Sequence, residues 1–187
     1  MSTENIKNNL KYLIVFLLGF YVGIEFPDID QMFQKSLGHR SIITHSILLP
    51  LLLILINSFK PKTLVNIFII GIFLGIGLHL SADLHPKNWN WYGYANIKLP
   101  SNKSIGALSP IWIAGNAIIS VFFSIKILFK NFNKKLFKFS YVIIALVTGT
   151  FYSIFEPHNQ MVILITYFPI FLGTFYFAQK KYSKSNN

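Results

Sequence analysis

His79 and Asp83 stand four residues apart at the end of a long apolar run. In a helix that spacing turns a histidine and a carboxylate the same way, so they can grip one divalent ion or pair with each other. Three further segments carry the same residue types. In Phe26-Pro27-Asp28-Ile29-Asp30, Pro27 stops a helix and two carboxylates follow, oxygen ligands of the kind that hold divalent cations. In His39-Arg40-Ser41-Ile42-Ile43-Thr44-His45-Ser46, the spacing predicts that Ser41 and His45 share a helix face. His39 then sits just ahead of that helix, able to fold back over its end. Glu156-Pro157-His158 occupies a short turn and reads equally as a contributor to the site or as a solvated turn. All five histidines (His39, His45, His79, His85, His158) and five of the six acids (Glu25, Asp28, Asp30, Asp83, Glu156) lie at the ends of apolar runs. The chain has no cysteine, which excludes disulfides and thiolate zinc sites and leaves His, Asp and Glu as the strong ligands.

The elements that position these residues are set by composition. Of the 187 residues, 53% are apolar, 17% aromatic and only 12% charged, far from the average of a soluble domain. An all-α, polytopic transmembrane bundle of about six helices follows, forming one integral membrane domain over 1–187. Apolar segments run over residues 12–26, 42–59, 63–84, 108–129, 139–155 and 161–178, most of them near the ~20 residues a bilayer-spanning helix needs. The first is the shortest. It has a basic flank at Lys7 and Lys11 like a signal sequence, but no small-x-small site precedes Asp28, so it reads as a retained anchor.

The formal charge of +11 follows topology and does not call for a nucleic-acid partner. Five of the seventeen basic residues (Lys35, Arg40, Lys87, Lys98, Lys103) fall in the first and third loops. The remaining twelve lie at the amino terminus, after the second and fourth helices, and in the tail. Under the positive-inside rule both termini are cytoplasmic, and the His and acid cluster faces outward. Ionisable side chains at a membrane are costly and usually functional, so this cluster is the expected site.

Between residues 85 and 107, Trp89, Trp91, Tyr92 and Tyr94 read as an interfacial loop that either anchors at headgroup depth or grips a headgroup. The pairs Gly19/Gly23 and Gly71/Gly75 predict close approach of the first and third helices, bringing their acidic ends together. Pro50 and Pro169 are expected to kink helices two and six. Asn116 is expected to make an interhelical hydrogen bond.

Pro27-Asp28-Ile29-Asp30, then His39-Arg40 with Thr44-His45-Ser46, then His79-x3-Asp83, in that order, resemble the signature of the YdjM-like membrane-bound metal-dependent hydrolases. That family is grouped with zinc-dependent phospholipase C and related single-strand nucleases. The resemblance covers residues 12–85, and helices four to six (108–178) carry no matching motif. It implies Asp28, Asp30, His39, His45, His79 and Asp83 as metal ligands. The free amino-terminal Trp and the later His-x3-Glu pair of the soluble phospholipases have no counterpart here.

The expected function is metal-dependent hydrolysis of a phosphoester in a membrane lipid or lipid-linked substrate, at the extracytoplasmic face of a bacterial plasma (inner) membrane. Zinc is the leading ion, with manganese or iron next. Asp28 and Asp30 are the candidate proton acceptors, and Arg40, the only arginine, suits a phosphate better than a lysine does. Arg40, Trp89 and Trp91 are the candidate substrate contacts, and His85, Glu156 and His158 are possible additional ligands. The alternative is a metal-ion or proton-coupled transporter using the same His/Asp cluster. A di-iron oxidase reading of the two His-x5-His spacings lacks clustered histidine boxes. A structural membrane protein with a metal staple would bind an ion without an open coordination position.

Overall fold

The computed structural model describes residues 3–33, 37–84, 96–101, 103–131, 135–155 and 160–183. The fold is all-helical. Its α-helices are α1 (Thr3–Glu25), α2 (Leu48–Phe59), α3 (Thr63–Asp83), α4 (Ser109–Asn131), α5 (Lys135–Phe155) and α6 (Gln160–Ser183). Short 3-10 turns cover Pro27–Gln31 and Gly106–Leu108. The stretches Asn8–Gln31, Thr63–Asp83 and Gly106–Asn131 are each long and apolar enough to cross a membrane.

α3 is the central helix. Its sequence is apolar all round, the pattern of a helix with neighbours on every side, and residues 69–81 are all buried. α1 packs parallel to it through the two glycine pairs. A Cβ on Gly71 or Gly75 would collide with the carbonyl oxygen of Phe16 or Phe20, and one on Gly19 or Gly23 with that of Phe68 or Ile72. Only a hydrogen side chain at these four positions lets the two backbones touch. α4 packs antiparallel on another face of α3, where Ser120 and Ser124 donate to the carbonyls of Phe73 and Ile70 at 2.7 and 2.8 Å. Tyr141 of α5 and Tyr167 and Phe171 of α6 complete the main apolar core.

Two expectations are corrected. The second helix begins at Leu48, not at residue 42, so Ser41 and His45 share a single turn, closed by the His45 amide on the Ser41 carbonyl at 2.9 Å, and not a continuous helix face. Pro50 starts this helix instead of kinking it. It has no N–H to offer the Ser46 carbonyl, so it is best placed in a first turn, where that donor is not needed. Pro169 does lie inside α6. At 1.5 Å per residue the 12-residue α2 is about 18 Å long, against about 31 Å for the 21-residue α3. The irregular segment 38–47 makes up the difference, and the candidate site is built there.

Candidate metal centre

Three pieces of chain converge at one end of the bundle. Because α1 and α3 run parallel, their carboxyl-terminal ends lie side by side, which places Asp28 and Asp30 next to His79 and Asp83. The segment 38–47 passes between them. It is turned by two residues in the left-handed region, Gly38 (φ 72°) and Arg40 (φ 60°). A left-handed arginine is uncommon, and such residues concentrate at functional sites.

Asp30 is fully buried. Its Oδ2 accepts from the Ser41 amide at 2.6 Å and from the Thr44 hydroxyl at 2.8 Å, and His45 Nδ1 lies 3.3 Å away. Its Oδ1 lies 3.4 Å from His39 Nδ1. Asp83 holds the other side: Oδ1 accepts from Arg40 Nε at 3.2 Å, while Oδ2 lies 2.9 Å from His45 Nε2 and 3.4 Å from His79 Nε2.

The close approaches around Asp83 Oδ2 are out of line for hydrogen bonding. His45 Nε2, both ring nitrogens of His79 and Asp83 Oδ2 are buried with no hydrogen-bond partner. A buried polar atom left unpaired costs about 1–3 kcal/mol, and four in one cluster call for a common partner. Ligands about 2.0 Å from a tetrahedral zinc sit about 3.3 Å apart, close to the 2.9 and 3.4 Å found here. Asp28, His45 and His79 bring one ligand atom each within 4.8 Å of one another, as do Asp28, Asp30 and His39. Asp28 therefore belongs to both groups. The donor set is nitrogen and oxygen only, and these groups could hold a metal ion. All six expected ligands fall in this one cluster, and Arg40 borders it. His85, Trp89, Trp91, Glu156 and His158 lie outside the described residues.

α4, which carries no motif, supplies a support that sequence reading missed. Trp112 Nε1 donates to the His45 carbonyl at 3.0 Å, and Asn116 Oδ1 accepts from the Ile47 amide at 3.1 Å. Asn116, expected to bond between helices, instead holds the segment just before α2. On the other flank, Lys98 pairs in both directions, its carbonyl accepting from Ile42 and its amide donating to Arg40, at 2.8 and 2.9 Å. These bonds satisfy the non-helical backbone that an apolar setting would otherwise penalise. The part missed was Trp112, an indole one turn before Asn116 in a hydrophobic helix, recognisable only once its partner is known.

No family model, no curated protein and no solved structure matches the chain.

Proposed function

We propose that the chain is a multi-spanning membrane hydrolase of the YdjM-like type, which uses a zinc-class divalent ion to cleave a phosphoester of a lipid or lipid-linked substrate at the extracytoplasmic face. The observation that carries this reading is the set of buried, unpaired nitrogen and oxygen atoms of His45, His79 and Asp83 at ligand-to-ligand separations. Asp28 is half-buried and shared between the two ligand groups.

A divalent ion held by His45, His79 and Asp83 would supply Lewis-acid polarisation of a phosphoryl oxygen and an acidified water. The chain's own residues do the rest. Asp28, the more accessible of the two paired carboxylates, accepts the proton released on attack. Arg40 gives one of its five donors to Asp83, and its remaining donors orient a phosphate. The lysine distribution supports an outward-facing site.

The transporter reading is weakened by position: the cluster sits at the carboxyl-terminal ends of α1 and α3, whereas alternating access usually centres its site between the two faces. The test is elemental analysis of detergent-purified protein beside His79→Ala/Asp83→Ala, followed by a phospholipid hydrolysis screen. About one or more zinc, manganese or iron per wild-type chain, absent from a folded double variant, with metal-dependent release of a phosphorylated headgroup, is the expected result. Metal-dependent uptake into proteoliposomes with no ester turnover would transfer the assignment to transport.

A further inference from the structure

We propose that Asp30, which the motif resemblance counts among the metal ligands, is instead a positioning residue. With Thr44, it holds the His45 ring with its proton on Nδ1 and its Nε2 bare toward Asp83 and His79. The inference rests on the metal reading above and concerns how this chain divides labour among its carboxylates.

The hydrogen bonds around Asp30 leave little choice. Oδ2 already takes the Ser41 amide at 2.6 Å and the Thr44 hydroxyl at 2.8 Å. The single Thr44 proton is thereby committed, so the Thr44 oxygen faces His45 Nδ1, 3.1 Å away, as an acceptor. His45 Nδ1 then meets two acceptors, Thr44 Oγ1 and, at 3.3 Å, Asp30 Oδ2. A ring nitrogen between two acceptors carries the proton. The opposite nitrogen, Nε2, is the one left without a hydrogen bond, 2.9 Å from Asp83 Oδ2. Carboxylate, histidine and ligand face stand in line, the arrangement by which a supporting carboxylate fixes a ligand histidine's tautomer and raises its basicity. Asp30 is fully buried, whereas Asp28 is half-buried. Burial suits a group that acts through a neighbour.

The competing assignment is ligation by Asp30 itself, one of whose carboxylate oxygens falls within 4.8 Å of ligand atoms on Asp28 and His39. The two differ in what happens at saturating metal. Zinc titration and cobalt(II) visible absorption are measured on full-length wild type, Asp30→Asn, Thr44→Val, Thr44→Ser and Asp83→Ala. Asp30→Asn and Thr44→Val are expected to bind as much zinc at saturation as wild type, with affinity lowered about 10- to 100-fold. Their cobalt spectrum at saturation is expected to match wild type, while that of Asp83→Ala changes, and Thr44→Ser is expected to restore wild-type affinity. Loss of a zinc equivalent or an altered cobalt spectrum in Asp30→Asn makes Asp30 a ligand and overturns the proposal. Unchanged affinity in either Asp30→Asn or Thr44→Val also overturns it. Should Asp30→Asn fail to fold, the Thr44 pair decides alone, since a merely structural threonine would not show serine rescue of affinity. Wild-type protein that takes up no zinc refutes the metal reading itself, a result visible before any variant is compared.

Discussion

Asp83 carries more of the site than its place in a histidine-carboxylate pair implies. It faces His79 one turn away, as the spacing indicates, but it also meets His45 and Arg40, which are about forty residues distant in the chain. Removing it leaves the part-buried Arg40 guanidinium without its partner, at a cost of about 1–3 kcal/mol. Asp83→Ala is therefore expected to lower the thermal midpoint of metal-free protein as well as to abolish zinc uptake; a variant as stable as wild type would show that the pairing with Arg40 does little. Arg40→Lys keeps the charge but loses the planar fork. The hydrolysis rate of that variant is expected to fall about tenfold, equivalent to about 1.4 kcal/mol in the barrier. An unchanged rate would remove Arg40 from substrate binding. The types and order of these residues were readable in the sequence. Their mutual distances were not, because spacing along a helix reports neighbours one turn away and is silent on what another segment brings.

The site exists because α1 and α3 touch. Their contact depends on Gly19, Gly23, Gly71 and Gly75, each of which would place a Cβ against a main-chain atom that cannot rotate aside. Gly71→Ala is accordingly expected to destabilise by about 1–3 kcal/mol and to weaken zinc binding. Gly173→Ala, in α6 where nothing lies within 4 Å of an added Cβ, is expected to be neutral or to stabilise by up to about 1 kcal/mol. Thermal unfolding in detergent compares them, and equal shifts would refute the close-approach explanation. Asn116→Leu leaves the Ile47 amide without an acceptor, at a cost of about 1–3 kcal/mol. Zinc affinity should fall with it, since the same segment carries His45; stability lost with affinity intact would mean that α4 supports the fold alone. The glycine pairs and Asn116 announce themselves by type in an apolar helix. The late start of α2 does not, because residues 42–47 are as compatible with helix as with turn. Asp30 decides between them by binding the Ser41 amide and the Thr44 hydroxyl.

At the scale of the molecule, three stretches have the length and apolarity to cross a membrane, and the proposed topology sets the site on the outer face. The absence of native cysteine makes this directly testable. Ser101→Cys is expected to react with an impermeant maleimide in intact cells and Lys181→Cys only after permeabilisation. The reverse pattern would place the cluster in the cytoplasm and remove the outer-leaflet substrate.

Composition and the length of the apolar runs were enough for helix class and apolar character, because a single apolar run of about twenty residues satisfies its own backbone hydrogen bonds only as a helix. Local spacing was enough to turn His79 and Asp83 the same way, since a four-residue interval in a helix has one geometric meaning, whereas the same interval at Ser41 and His45 falls in a turn. The division of the candidate ligand atoms into those without a hydrogen bond and those already satisfied was settled in three dimensions. It depends on which donors Ser41, Thr44 and Arg40 bring to Asp30 and Asp83, and on how Trp112 and Asn116 pin the chain between them. Those contacts join residues far apart in the chain, and no local pattern encodes a distance that depends on how whole helices pack.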